Sequence, residues 1–330
     1  MLMVLDRSEL TVRVNAGVIQ VYKDDALLQR AATHLLEMLV VYGNPLVESS
    51  VWRELAQAGV PAVILAARGG QACALLAEGL ATQLPARRLQ YACAEDGTLA
   101  RQLARWVLVR KVLSYRLPYL FLVKHCDSDV ANRFRQVLEQ APAKLHKVDA
   151  LDSFMGIEGQ VSREWFQLLS NTLPEHWKFT GRNRQPPRDP LNALLSLGYT
   201  LALADIRQVL VTEGFDPAFG FLHQPFPARE ALALDVLEIF RSGVDLFALN
   251  LLGELTPEAF YYRAEEGCRL NKTARPVFYR EWAIYRDNWP RPLGEVENSR
   301  DFATAPLREQ VRGQLKQLRQ TMGELKDVES

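Results

Sequence analysis

The sequence lacks a pair of cysteines at CxxC spacing. Its four cysteines are scattered along 330 residues, at Cys73, Cys93, Cys126 and Cys268. A structural zinc site or a disulfide framework requires cysteines at short or regular spacing. We therefore expect reduced thiols, as in a cytoplasmic protein, and neither a thiolate zinc site nor a disulfide framework.

The sequence also lacks an excess of charge of either sign and an uninterrupted apolar span. Lysine plus arginine and aspartate plus glutamate both number 39, so the formal net charge is zero. A neutral total argues mildly against a nucleic-acid binder, but it can conceal one basic and one acidic face. The most apolar stretch, 191–211, is interrupted by Asp205 and Arg207, and it is interpreted as a buried helix. The first residues contain no basic leader, so neither a signal peptide nor membrane association is predicted.

What is present is enough chain for two domains. Residues 1–85 are rich in short β-branched runs, and Asn15-Ala-Gly17 has the composition of a hairpin turn. A helix that begins at Ser49 or Ser50 and ends near Ala58 separates the last strands from the first ones. The predicted strands cover 11–14, 18–22, 38–42, 60–65 and 74–76. This pattern predicts a small β-rich N-terminal domain.

The pattern becomes helical after residue 85. A basic linker is predicted over 86–97, and a larger all-α domain over 98–330. Asp189-Pro190 is the clearest helix start, because proline at the first helical position loses no hydrogen bond; that helix is predicted to end at Gly214. Thr98 and Asp127 are predicted to cap two other helices. An apolar stripe over 307–322 predicts a last helix. The fold class is therefore α+β.

Three segments contain residues suited to chemistry. Glu158 stands beside glycines in 155–160, where each glycine weakens a helix by about 1 kcal/mol; a turn with an exposed glutamate is the alternative. His223 follows an apolar pair, and a structural histidine is its alternative. Asp235 and Glu238 are three residues apart on a helix that is apolar nearly all round, so they share a buried face.

Two buried carboxylates on one face require a compensating cation. That cation is either a divalent metal or a neighbouring arginine, Arg229 or Arg241. Taken together, the three segments offer carboxylate, imidazole and carboxylate, a ligand set that suits Mg²⁺ or Mn²⁺. Such ions activate a nucleophile and stabilise the leaving oxygen in phosphoryl transfer.

These motifs resemble those of the CRISPR-associated integrase/endonuclease family, the larger of the two near-universal spacer-acquisition proteins. The resemblance covers almost the whole chain, with the motifs in the family's order. The matching segments are Gly156-Ile-Glu-Gly159, Asp189–Leu195 with Gly198-Tyr199, Gly220–His223, Leu232 with Asp235 and Glu238, Phe240-Arg241, and the N-terminal segments 41–44, 58–63 and 68–70. The sequence departs from the family pattern at Ala231, Ser196 and Trp165, and none of these changes removes a metal ligand.

The resemblance implies one ion, Mg²⁺ or Mn²⁺, held by Glu158, His223 and Glu238 and supported by Asp235 as a further catalytic residue. The implied reaction is a transesterification, in which a 3′-hydroxyl of new spacer DNA attacks a phosphodiester of the CRISPR repeat. The nucleophile then comes from the substrate, which agrees with the lack of a GxSxG motif. The resemblance places catalysis in 98–330 and a homodimer interface in 1–85.

The implied partners are double-stranded DNA (spacer precursor and CRISPR repeat) and the smaller universal CRISPR adaptation protein. Arg182, Arg184 and Arg188 form a cation-dense loop and are predicted to contact DNA phosphates, because arginine binds two oxygens at once. For the other cationic residues a solvated helix face is the alternative. These residues are Arg87, Arg88, Arg101, Arg105, Arg110 and Lys111.

Two other functions are compatible with these residues. One is the transposase of a mobile element that uses a related enzyme, although such proteins usually carry added DNA-binding domains. The other is a catalytically silent DNA-binding scaffold, which the complete acid–histidine–acid set disfavours.

Overall fold

The computed structural model describes residues 1–65, 72–76, 84–123, 129–183, 186–224, 226–227, 229–291 and 303–329. The chain divides into two compact units, Met1–Leu80 and Ala81–Ser330. The first contains mostly strands and the second mostly helices. The predicted α+β fold class is therefore confirmed.

The first unit contains two four-stranded sheets in its described part. One sheet has the order β1-β5-β7-β8, with parallel pairs except for the antiparallel β7–β8 pair. The other has the order β4-β3-β2-β6, with β4-β3-β2 antiparallel. The elements are β1 (Leu2–Leu5), β2 (Leu10–Asn15), β3 (Val18–Lys23), β4 (Ala26–Ala32), β5 (Met38–Val41), β6 (Leu46–Val47), α1 (Ser49–Gln57), β7 (Ala62–Leu65) and β8 (Ala72–Leu76).

The predicted hairpin joins β2 to β3. Ala16 and Gly17 both have positive φ, 47° and 71°, which the tight turn requires and which glycine adopts without steric cost. Apolar side chains of β2 and β3, such as Val12 and Ile19, are fully buried and enter one core. Strand β4 was not predicted, because it lacks alternation: its first five residues are all exposed. The segment 68–70 lies outside the described residues.

Helices form most of the second unit. Helices α3, α5, α6, α7 and α8 pack against one another, and α10 packs on α2, α3 and α7. They are α2 (Leu84–Glu95), α3 (Gly97–Ser114), α4 (Arg116–Val123), α5 (Asp129–Lys147), α6 (Leu151–Thr172), α7 (Pro190–Thr212), α8 (Ala231–Leu252), α9 (Arg275–Asp287) and α10 (Leu307–Glu329). Two short β pairs accompany them, β9 (Phe260–Arg263) with β10 (Gly267–Leu270) and β11 (Trp289–Pro290) with β12 (Thr304–Ala305).

Local signals located some helix ends correctly. The Asp189 carboxylate accepts a hydrogen bond from the Asn192 backbone N–H at 2.8 Å, as the Asp-Pro start of α7 predicts. The start of α3 differs from the prediction: Asp96, and not Thr98, is the capping residue, with bonds of 2.8 and 3.1 Å. Asp127 lies outside the described residues.

Residues 86–97 differ from the predicted linker. Most of them form α2, whose buried Gln90 donates to the backbone oxygens of Asp216 and Phe219. A segment fixed in this way belongs to the helical unit, and the unit boundary falls near residue 80 rather than 85.

Among the described helices, α7 alone is long and apolar enough to cross a membrane. However, 61% of its apolar 18-residue stretch is buried in the protein. It is the buried helix predicted from 191–211.

Candidate metal centre

The predicted ligands come from three separate elements of the helical unit. Glu158 is the eighth of the 22 residues of α6, Glu238 is the eighth of the 22 residues of α8, and His223 lies in the loop between α7 and α8. All three line one cavity of about 250 Å³. Helix α8 is apolar nearly all round and almost wholly buried, so its few acids face other parts of the protein rather than solvent.

Asp235 holds the loop that carries His223. Its fully buried carboxylate accepts hydrogen bonds from the backbone N–H groups of Phe221, Leu222 and His223 at 2.6, 3.0 and 2.9 Å. The His223 Nδ1 atom lies 2.7 Å from the same carboxylate. Nδ1 is thereby engaged, and Nε2 is left as the ring nitrogen for a metal ion.

Gly220 permits this loop to approach α8. A Cβ atom at Gly220 would lie 2.7 Å from the carbonyl carbon of Ala231 and 2.7 Å from Oδ2 of Asp235. Neither atom belongs to a flexible side-chain end that can move away cheaply. The glycine of the Gly-x-x-His motif is therefore required by close packing against the residue that fixes the histidine.

Cations surround Glu238. Arg241 Nε donates to its Oε1 at 2.8 Å, and the Lys111 ammonium lies 2.5 Å from its Oε2. Burial opposes ionisation, but the charges of Arg241 and Lys111 outweigh it and lower the pKa of Glu238 to about 2. Of the two cations considered for these acids, a metal or a neighbouring arginine, the structure shows an arginine, Arg241, at Glu238. Asp235 is instead held by backbone N–H groups.

Lys111 was not predicted at this site. It projects from α3, is 3% exposed, and its ammonium contacts Glu158 Oε1 as well as Glu238. Ser162 donates a second hydrogen bond to the same Glu158 oxygen at 2.7 Å. A signal was available: Lys111 follows Val107 by four and Leu108 by three residues, which places it on the buried stripe of α3.

The donor set fits a divalent ion in its chemistry, although the carboxylates hold an ammonium here. The described residues contain no group of three His, Cys, Asp or Glu side chains close enough to hold a metal. Glu238 Oε2 is nevertheless buried and has the Lys111 ammonium beside it at 2.5 Å. Two carboxylates that converge on one cation, next to an imidazole, can accept Mg²⁺ or Mn²⁺.

A buried polar network lies beneath Glu238. Asp245, two turns further along α8, accepts hydrogen bonds from Tyr199 Oη and from Trp165 Nε1, the latter at 2.8 Å. Burial raises the pKa values of Asp245 and Tyr199. The Arg241 guanidinium lies 4.8 Å from the Tyr199 ring centre, so the arginine that holds Glu238 also rests on this network.

The segment around Glu158 is helical, so the alternative of a turn with an exposed glutamate is wrong. Gly156 and Gly159 lie inside α6, and apart from the adjacent residues and backbone of that helix, a Cβ atom on either would meet no described atom within 4 Å. The side chain of Glu158 is 19% exposed and points into the cavity. The helix tolerates its glycines because packing of the helix outweighs their weak propensity.

The predicted DNA-contacting arginines differ in their surroundings. Arg182 lines the cavity and donates to Asn192 Oδ1 at 2.7 Å, whereas Arg188 is exposed. Arg184 lies outside the described residues. Several other candidate cations contact the protein itself: Arg101 and Arg105 contact Asp149, Arg110 contacts Gln314 and Gln317, and Lys111 contacts Glu158 and Glu238.

The fold and the cavity define the class of protein: a strand-rich unit and a helical unit, the latter with an acid–histidine–acid site in a cation-lined cavity. The sequence profile described as CRISPR associated protein Cas1 matches residues 3–283. The CRISPR-associated endonuclease Cas1 1 of Thermodesulfovibrio yellowstonii is 32% identical over 284 residues, covering 83% of this chain and 88% of that protein. The chain therefore belongs to the CRISPR-associated Cas1 family.

Solved structures share the fold. A casposase bound to its integration product superposes with a TM-score of 0.82 at 19% identity, over 97% of this chain and 90% of that chain. A Cas6-RT-Cas1–Cas2 complex gives a TM-score of 0.78 at 23% identity, over 98% of this chain and 35% of that chain. The predicted family is confirmed, and so is the prediction of a CRISPR-associated enzyme of the endonuclease class.

Proposed function

We propose that this chain is a divalent-metal-dependent DNA integrase of CRISPR adaptation. It joins 3′-hydroxyl ends of new spacer DNA to the CRISPR repeat by transesterification. The observation that supports this most directly is the convergence of Glu158, His223 and Glu238 on one cavity. Family membership supports the CRISPR role.

The charge of the cavity suits a phosphodiester. Three cationic side chains, Lys111, Arg182 and Arg241, line it together with two carboxylates. One positive charge is therefore in excess even with His223 neutral, and a divalent ion would add two more. A concave site of net positive charge attracts the DNA backbone.

The proposal divides the predicted residues into three metal ligands and one supporting residue. Glu158, His223 and Glu238 would hold Mg²⁺ or Mn²⁺, which when bound acidifies the attacking hydroxyl and neutralises charge on the phosphate. Asp235 fixes the tautomer and the position of His223. Glu238 stays ionised at neutral pH despite its burial, because Arg241 and Lys111 keep its pKa low, so it needs no deprotonation before it acts as a ligand. The substrate supplies the nucleophile.

The proposed partners follow from the relatives. One structural neighbour is a casposase bound to an integration product, and another belongs to a complex that contains Cas1 and Cas2. We extend these associations to this chain: double-stranded DNA as substrate, contacted by Arg182, Arg184 and Arg188, and the smaller adaptation protein as partner. We further propose a cytoplasmic homodimer formed through the first unit.

A mobile-element transposase is the second candidate, and the casposase neighbour is the observation in its favour. The Cas1 profile match and the endonuclease relative favour the CRISPR integrase. The two functions differ in the DNA that each enzyme recognises. An integrase of CRISPR adaptation prefers a target duplex that contains a CRISPR repeat, whereas a transposase acts on the ends of its own element.

A strand-transfer assay tests the proposal. A labelled duplex with 3′-hydroxyl ends is incubated with CRISPR-repeat DNA and Mg²⁺ or Mn²⁺, using the parent protein with its smaller partner. Glu158→Gln and His223→Ala should each reduce product about 100-fold or more, since even a partner of a metal ligand is worth about 10–100-fold. Glu164→Gln, on the same helix but outside the cavity, is the control and should retain activity. Parent-level activity in the first two variants would refute the site and favour another catalytic centre.

A further inference from the structure

Lys111 provides the starting observation. Its ammonium is buried between Glu158 and Glu238, the two carboxylates assigned to the metal. The other oxygen of Glu238 is held by Arg241 at 2.8 Å, so Oε2 is the oxygen available to a ligand, and the ammonium occupies it. The same position that a divalent ion needs is therefore filled by a side chain of the protein.

This arrangement has a physical reason in the metal-free protein. Two carboxylates that face one cavity repel each other and lose hydration, which destabilises the fold unless a cation lies between them. Lys111 supplies that cation from a helix that packs against both α6 and α8. Buried lysine also requires partners, and it finds two acidic ones here.

Lysine is the side chain suited to leaving this position. Its ammonium is carried on four flexible methylene groups, whereas the planar guanidinium of Arg241 is fixed by its hydrogen bond to Glu238 and by the Tyr199 ring. The cavity of about 250 Å³ beside it offers room for the ammonium to move.

We propose that Lys111 is a positioning residue that acts as a resident counter-cation: it holds Glu158 and Glu238 in place without metal, and a divalent ion displaces it. This inference rests on the proposed metal-dependent function and deepens it. It implies that Lys111 and the metal compete for the same oxygens, so the lysine weakens metal affinity while it stabilises the metal-free site.

Mn²⁺ titration tests the competition. Isothermal titration calorimetry on the parent protein should show one Mn²⁺ site that Glu158→Gln removes. Lys111→Met should bind Mn²⁺ at least 10-fold more tightly and should melt at a lower temperature in EDTA. Lys144→Met removes one exposed lysine from α5 and is the matched control, with unchanged affinity. A purely structural lysine would lower the melting temperature without tightening Mn²⁺ binding.

A measurement on the unaltered protein covers the case in which Lys111→Met does not fold. An amine-acetylating reagent followed by mass spectrometry should leave Lys111 unlabelled in EDTA, because it is 3% exposed, and should label it when Mn²⁺ is added. Mn²⁺ binding that depends on Glu158, without tighter binding in Lys111→Met or labelling in the parent, would overturn the inference about Lys111 alone. Absence of any Glu158-dependent Mn²⁺ site would instead refute the proposed function.

Discussion

Two acids of helix α8 lie two turns apart and are both buried, yet their surroundings differ. Glu238 is held by Arg241 and by the Lys111 ammonium, whereas Asp245 is held by the neutral donors Tyr199 Oη and Trp165 Nε1. The charged partners lower the pKa of Glu238 to about 2, and burial among neutral partners raises the pKa of Asp245. Burial alone therefore does not decide the charge of an acid; its partners do.

The difference assigns different tasks to the two residues. Glu238 faces a cavity, and its Oε2 contacts a cation there, the Lys111 ammonium, as a metal ligand would contact an ion. Both oxygens of Asp245 accept hydrogen bonds from residues on other helices, so Asp245 links α8 to α6 and α7. A change at Glu238 should therefore affect mainly activity, and a change at Asp245 should affect mainly stability.

The largest expected effect is on activity. Glu238→Gln should reduce strand transfer about 100-fold or more, because an amide binds a divalent cation less strongly than a carboxylate does. Asp245→Asn should keep activity within a few-fold of the parent, since an amide can still accept from Trp165. Strand-transfer rates under identical metal concentrations provide the comparison. Equal losses in the two variants would show that the acids do not have separate tasks.

The next effect is on stability. Asp245→Leu leaves the Trp165 N–H and the Tyr199 O–H buried without their acceptor, and each such loss costs about 1–3 kcal/mol. The free energy of unfolding should therefore fall by about 2–6 kcal/mol, as measured in urea. Asp245→Asn, which retains an acceptor, is the control and should lose less. A stable Asp245→Leu variant would show that these two hydrogen bonds are not required for stability.

Parts of this site could be predicted from the sequence, because some signals are local. The start of α7 at Asp189-Pro190 and the shared face of Asp235 and Glu238 depend on spacing within one helix. The meeting of Glu158 with His223 does not: the residue types suggested one ligand set, and the resemblance to a family implied that one ion is held by these residues. The structure adds the reason for Gly220, which is a contact with α8.

Other parts could not be predicted, because they depend on which helices meet. The sequence places Arg110 and Lys111 side by side, yet one contacts α10 and the other enters the cavity. Helical periodicity places Lys111 on the buried stripe, but it does not identify the two carboxylates opposite. Asp245 lies seven residues beyond Glu238, and its partners on α6 and α7 are distant in sequence.

Acidification should change the stability contributions of Glu238 and Asp245 in opposite directions. Glu238 has a folded-state pKa below its usual 4.5, so its stabilisation is present above pH 4.5 and is lost as the pH falls toward 2. Asp245 has a raised pKa, so its stabilising contribution is present below its usual 3.8 and is lost as the pH rises through its folded-state value.

Urea unfolding in EDTA between pH 6 and pH 3 measures these contributions. Relative to the parent, Glu238→Gln should lose less stability on acidification, by roughly 1–3 kcal/mol, and Asp245→Asn should lose more. Parallel pH profiles for the parent and both variants would contradict the opposite pKa directions of the two acids.

The smallest expected effect concerns Glu158. Its carboxylate contacts one cation, Lys111, and one neutral donor, Ser162, so its surroundings are intermediate between those of Glu238 and Asp245. Ser162→Ala removes the 2.7 Å hydrogen bond to Glu158 Oε1 but leaves the Lys111 contact. A net hydrogen bond is worth about 1 kcal/mol, so strand transfer should fall about 5-fold. Ser170→Ala removes a hydrogen bond from the same helix to Phe179, away from the cavity, and should leave the rate unchanged. Equal rates in both serine variants would mean that Lys111 alone positions Glu158, whereas a loss as large as that of Glu238→Gln would mean that a neutral donor matters as much as a ligand.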